Sequence, residues 1–177
     1  HAEAARRLGA LLAAQGARIV YGGGQVGMMG QLADAALAEG GTVVGVIPEP
    51  LAIKEVAHPG LTELHVVADM HERKAMMARL SDGFLVLPGG AGTFEEFFEV
   101  FTWAILGIHR KPIGILNVEG YFDPLEHLLR HGVDQGFVRP EHLALLSFSD
   151  DPCWLITHVL EHTPPAPGPI WMTSDQT

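Results

Sequence analysis

Short apolar runs separated by helical stretches most narrow the folds open to this chain. Arg18 to Tyr21, Thr42 to Ile47, Glu63 to Val67, Gly83 to Leu87 and Ile113 to Asn117 read as strands. Leu143 to Phe148 reads as a short edge strand. Helical patterns fill the intervals: Ala2 to Gln15, with Leu8, Leu11 and Leu12 at helical spacing, then Gly27 to Glu39, Met70 to Leu80, Glu95 to about Gly107, Phe122 to Gln135 and Pro152 to His162. Gly40-Gly41 ends the second helix, and Pro48 and Pro50 stop the strand before them. Strands that are apolar throughout need cover on both faces. Alternation with helices supplies it by parallel crossovers. The expectation is an α/β fold, a mostly parallel sheet in a three-layer αβα arrangement. Residues 1–163 read as a single domain, and the proline-rich 164–177 as a loose tail.

In such sheets ligands bind beyond the carboxyl ends of the strands. One strand, Phe84 to Leu87, runs there into Pro88-Gly89-Gly90-Ala91-Gly92-Thr93-Phe94-Glu95-Glu96. Three glycines and a threonine at a helix start turn several backbone N–H groups toward one point, with the positive end of the helix dipole behind them, which favours phosphate. Two glutamates in what reads as the first turn would repel a phosphate. They make sense if a carboxylate works on the sugar attached to it. Glycines for a tight turn and Glu for helix stability are the plainer account of the same letters.

A second glycine loop, Gly22-Gly23-Gly24-Gln25-Val26-Gly27, fits G-x-G-x-x-G between a strand and a helix. A dinucleotide site there wants an acidic residue at a strand end about 20 positions on. Glu49 is near that place but stands between two prolines. Met70-His71-Glu72-Arg73-Lys74 opens another helix at the same sheet edge. Two cations at a helix start oppose its dipole, so Arg73 and Lys74 suit an anionic partner, unless they belong with Arg79 to a solvated basic face. His71-Glu72 does not complete H-E-x-x-H, because Ala75 holds the fifth position. His127 and His131 lack an apparent third ligand, so no metal is expected.

The formal charge of −10, from 11 basic and 21 acidic residues, argues against nucleic acid or an anionic membrane as partner. A single cysteine, Cys153, leaves no disulfide framework and fits the cytoplasm. Apolar residues make up 47%, and Phe97, Phe98, Phe101 and Trp103 span more than one face of the motif helix, which points to a homodimer.

Taken together, Pro88 to Glu96, Tyr21 to Gly30, Met70 to Lys74, Phe101 to Ala104, Gly107 to Pro112 and Asn117 to Tyr121 resemble the LOG ("Lonely guy") family. Its members often carry the label lysine decarboxylase. The likeness runs from His1 to about Cys153, and the combined motifs are highly specific. It implies a Rossmann-like fold and a cytokinin riboside 5′-monophosphate phosphoribohydrolase. Such an enzyme cuts the N-glycosidic bond of N6-modified AMP, and of AMP in many members, giving free base and ribose 5-phosphate without a cofactor. It also implies a homodimer with its sites at the interface. By position, Arg73 and Glu96 match the family's catalytic pair. Glu55, Arg73, Lys74, Gly89, Gly90, Ala91, Gly92, Thr93, Phe94, Glu95 and Thr102 match its substrate-binding positions. Gly22, Gly23 and Gly24 are an additional phosphate loop by spacing. The family begins with a strand and a Gly-Ser loop ahead of its first helix, and that segment is expected upstream of His1. A decarboxylase of the usual kind would use a pyridoxal-binding lysine, and the motif 88–96 has none. Two other readings stand beside this one: a nucleotide or molybdenum-cofactor carrier with the same P-G-G-x-G-T element, and a dinucleotide oxidoreductase.

Overall fold

The computed structural model describes residues 1–52, 57–162 and 164. The chain forms two compact units, His1–Ser81 and Asp82–Thr177. The first comprises α1 (Ala2–Ala14), β1 (Ile19–Tyr21), α2 (Gly27–Ala38), β2 (Val43–Pro48), the single turn α3 (Glu49–Ala52), β3 (Glu63–Val67) and α4 (Met70–Leu80). Its sheet has the order β1-β2-β3, and both pairings are parallel. All six residues of the central β2 are buried. The edge strand β3 leaves Leu64 and Val66 exposed, so full burial follows from a neighbour on each side. Helices α1 and α2 lie against each other. A Cβ on Gly9 would stand 2.2 Å from the Leu32 carbonyl oxygen, so only glycine lets the two backbones come this close.

The second unit comprises β4 (Phe84–Val86), α5 (Ala91–Ile105), β5 (Ile113–Leu116), a 3-10 turn (Val118–Gly120), α6 (Asp123–Asp134), the single turn α7 (Pro140–Leu143), β6 (Leu146–Ser149) and α8 (Pro152–Glu161). Its sheet has the order β4-β5-β6, again all parallel. The central β5 is wholly buried. Its core joins Val86, Ile113 and Ile115 to Phe97 and Phe101 of α5 and to Phe122, Leu125 and Leu129. The Phe97 and Phe101 rings stack with centroids 5.7 Å apart. Each side chain so removed from water contributes roughly 1.5–3 kcal/mol.

Two readings of the sequence need correction. Helix α5 begins at Ala91, four residues earlier than its pattern suggests, because Gly90 (φ −96°, ψ −153°) is the N-cap. Its first turn therefore holds no acidic residue, and Glu95 and Glu96 fall in the second turn. The edge strand read over Leu143 to Phe148 starts at Leu146, because Pro140 opens a turn of helix that takes up Leu143. Of the tail read as loose, residues 165–177 lie outside the described residues, and Pro164 is buried.

Candidate active site

The two glycine loops lie in different units and are built differently. In the first unit Gly22 follows β1, and α4 supplies Arg73. Asp69 caps α4, accepting hydrogen bonds from the His71 and Glu72 N–H groups at 2.8 and 2.9 Å. These bonds, the one from Glu72 above all, hold the Asp69 carboxyl below its ordinary range. Glu72 reaches back to accept from the Ala68 N–H at 2.8 Å. Asp69 and Glu72 thus place carboxylates at the helix start, where they complement its dipole. The Arg73 Nε donates to the Val46 carbonyl within β2, at 3.2 Å. Its Nη2 lies over Gly22, where an added Cβ would stand only 2.0 Å away. Gly22 is therefore a seat for the guanidinium. Lys74 follows on α4, half-buried.

The rest of this loop is closed by the protein. Gly23 takes φ +74° and crosses β2 so near Gly45 that a Cβ there would meet the Gly23 Cα at 2.8 Å. The Tyr21 hydroxyl donates to the Gly24 carbonyl at 3.0 Å, and burial, with the charge of Asp34, raises its phenol. Gly24 bridges Ala57. The His58 N–H donates to the Gly23 carbonyl at 2.8 Å, while the buried imidazole meets Asp34 through Nε2 at 2.9 Å and accepts the Gly60 N–H through Nδ1. Glu55 lies outside the described residues. The chain just beyond it, at Ala57 and His58, is fastened to the first glycine loop. Glu49 directly follows β2 as the first residue of α3, between Pro48 and Pro50.

In the second unit the loop is open. Among the described residues, a Cβ on Gly90 or Gly92 would meet nothing within 4 Å. The first intrahelical bond of α5 runs from the Phe94 N–H to the Gly90 carbonyl, so the N–H groups of Ala91, Gly92 and Thr93 precede the helical ladder. The glycine N-cap has no side chain to answer them. A bound anion can do so, in the field of a helix of 15 residues. Gly89 is the exception among these glycines: a Cβ there would collide with Thr93 Oγ1 at 2.1 Å.

Helical spacing sorts the α5 residues into stripes. Phe94, Phe97, Phe101 and Ala104 turn toward the core of the unit. The Phe94 ring is half-buried and edge-on to Phe122, so its side chain packs while its backbone shapes the helix start. Ala91, Glu95, Phe98 and Thr102 form an exposed stripe. Thr93, Glu96, Val100 and Trp103 form a half-buried stripe between the two. Glu96 thus shares its stripe with Thr93, one turn from the open N–H groups, whereas Glu95 shares the exposed one with Thr102. Among the described residues no group of three or more metal-binding side chains occurs, and His127 and His131 are exposed on α6. Cys153 is an exposed free thiol. Among the described residues no helix is long and apolar enough to cross a membrane.

Residues 29–159 match the model of a family described as "Possible lysine decarboxylase". A protein of Rhodococcoides fascians named cytokinin riboside 5′-monophosphate phosphoribohydrolase is 56% identical over 141 residues, 79% of this chain and 71% of that one. A protein of Oryza sativa subsp. japonica, "Probable cytokinin riboside 5′-monophosphate phosphoribohydrolase", is 50% identical over 139 residues, 78% of this chain and 62% of that one. The chain thus spans about two thirds of the length of these relatives. Among solved structures, the molybdenum cofactor carrier protein of Chlamydomonas reinhardtii matches with a TM-score of 0.68 at 21% identity, over 91% of this chain and 88% of that one. At that identity the likeness concerns the fold alone, and the fold is Rossmann-like α/β.

Proposed function

The chain belongs to the LOG family, and on that premise we propose that it hydrolyses the N-glycosidic bond of cytokinin riboside 5′-monophosphates, and of AMP, to free base and ribose 5-phosphate. The observation that carries this reading is the open helix start at Gly90 to Thr93 with a carboxylate, Glu96, one turn along the same stripe. The N–H groups of Gly90 to Thr93 and the Thr93 hydroxyl hold the 5′-phosphate. Arg73 adds a charge-assisted contact to phosphate or ribose. Lys74 and Glu55 complete the substrate-binding set. Breaking the glycosidic bond leaves positive charge on C1′ and the ring oxygen. Glu96 stabilises that oxocarbenium-like state or activates the attacking water. The more exposed Glu95 binds ribose hydroxyls. Water supplies the hydroxyl left on C1′, and the departing base takes a proton.

This reading includes a homodimer with sites at the interface, in the cytoplasm. Phe98 stands 39% exposed on the stripe that also carries Glu95 and Thr102, and a second copy of the chain covering this stripe would bury it beside them. Dilution through the dissociation constant should then lower mass and specific activity together. A fully active monomer by sedimentation would remove the dimer from the proposal.

The test of the chemistry is a panel of AMP, GMP, CMP and N6-isopentenyl AMP, scored for free base. Release from the adenine nucleotides is expected. Tight binding with no base released would favour a carrier role instead. The decarboxylase wording of the family description calls for a lysine able to hold pyridoxal phosphate, and the sequence 88–96 offers none.

A further inference from the structure

The segment Asn117 to Tyr121 is unused by the chemistry above, yet its conformation is the most constrained in the second unit. Glu119 has φ +57°, the only non-glycine residue with positive φ among those described, and Gly120 follows at +69°. Holding a side-chain-bearing residue there costs about 1–2 kcal/mol. Asn117 braces the turn from inside. Its Oδ1 accepts the Phe122 N–H at 2.7 Å, and its Nδ2 donates to Asp123 Oδ1 at 2.7 Å. Phe122 is buried, and the Tyr121 ring stands edge-on against it at 5.0 Å. The strained turn presents two exposed side chains, Glu119 and Tyr121, and the Tyr121 hydroxyl donates to the Gly89 carbonyl at 2.5 Å.

That carbonyl belongs to the peptide joining Gly89 to Gly90. A trans peptide is planar, with its C=O and N–H pointing in opposite directions. Fixing the carbonyl therefore fixes the Gly90 N–H, one of the donors assigned to the phosphate. A peptide between two glycines has little steric preference of its own and is the easiest kind to rotate. Thr93 closes the other side of Gly89, where its Oγ1 occupies the place of a Cβ. Gly89 is held from two sides, while Gly90 and Gly92 face open space.

We infer that Tyr121 is a positioning residue of the phosphate loop: its hydroxyl locks the Gly89–Gly90 peptide so that the Gly90 N–H is preset for the 5′-phosphate. The inference rests on the phosphate-loop part of the proposed function and not on turnover. Without the lock, the loop must be ordered by the ligand at the moment of binding, and affinity falls by that cost.

Tyr121→Phe keeps the ring on Phe122 and removes only the hydroxyl. Calorimetric titration of wild type and variant with AMP and with adenosine reads the effect directly, beside base release from AMP. We expect Kd and KM for AMP to rise about 3- to 10-fold, the worth of one hydrogen bond. Adenosine binding, kcat and the melting temperature should stay near wild type. An unchanged AMP affinity overturns the inference, and so does an equal loss for adenosine, which would mark Tyr121 as a general structural support. A wild type that binds AMP without releasing base would defeat the hydrolase reading and leave the binding comparison decisive for Tyr121. A wild type that binds no AMP overturns both.

Discussion

The two glycine loops are spelled alike and serve opposite ends. At Gly22 to Gly24 the absent side chains make room for the protein itself. Arg73 lies over Gly22, Gly23 presses on Gly45, and Gly24 is bridged by Ala57. At Gly90 and Gly92 the absent side chains leave space that no described residue fills, in front of a helix start without a side-chain cap. The first loop is finished as it stands and delivers a guanidinium. The second, on the proposed function, is finished by the substrate's phosphate. Glycine content alone does not distinguish them, because a turn, a close contact and an anion cradle all ask for the same residue.

The comparison breaks most severely at the carboxylate that shares a stripe with the open loop. Glu96→Gln keeps size and removes the charge that opposes the developing cation. Base release should fall by at least ~10²-fold, with the melting temperature unchanged. Near wild-type turnover in a folded variant would detach the open loop from the chemistry.

The closed loop predicts a smaller and more selective loss. Arg73→Ala should cost roughly 1.5–3 kcal/mol in kcat/KM for 5′-monophosphates and little for the free riboside. Gly22→Ala should move activity the same way without altering Arg73, because its Cβ would displace Nη2 from its seat. If Gly22→Ala matched wild type in steady-state kinetics, the loop's glycine would owe nothing to the guanidinium.

Stability separates the loops again. Gly23→Ala forces a side chain into φ +74° and should destabilise by about 1–2 kcal/mol in urea melts. Gly90→Ala enters open space at a φ that any residue adopts, and should leave stability within about 0.5 kcal/mol. Its penalty should fall on AMP affinity instead. Equal destabilisation by the two substitutions would erase the distinction.

The smallest effect lies beyond the far end of α5. His109 donates through Nε2 to the Val100 carbonyl at 2.8 Å and accepts the Lys111 N–H through Nδ1 at 3.1 Å, so it is held as the neutral imidazole. Burial, offset in part by the bond to Val100 and aided by the charge of Lys111, keeps its pKa below 6.5. The unfolded chain then takes up the proton first. The stability His109 contributes is complete above about pH 6.5 and declines as pH falls from there toward the lowered folded value. Melting temperatures of wild type and His109→Gln should converge as the pH is lowered across that window. A constant gap would contradict it.

Much of this protein is legible in its residues because local rules were enough. Wholly apolar runs between helical patterns give parallel strands, and β2 and β5 obey this because each has a neighbour on both sides. The run from Pro88 to Thr93 marks a helix start without a side-chain cap, the feature on which the proposed phosphate site rests, since the missing cap follows from the glycine itself. The sequence also names Arg73 and Glu96 as the residues to watch. Only the tertiary structure decided what surrounds them. The start of α5 moved to Ala91 because Gly90 adopts an extended conformation, and this carried Glu95 and Glu96 out of the first turn. The seat of Arg73 on Gly22 and Val46, and the hold of Tyr121 on Gly89, join residues 51, 27 and 32 positions apart in the chain. Contacts at such separations depend on where the strands place their ends, and no local pattern records that.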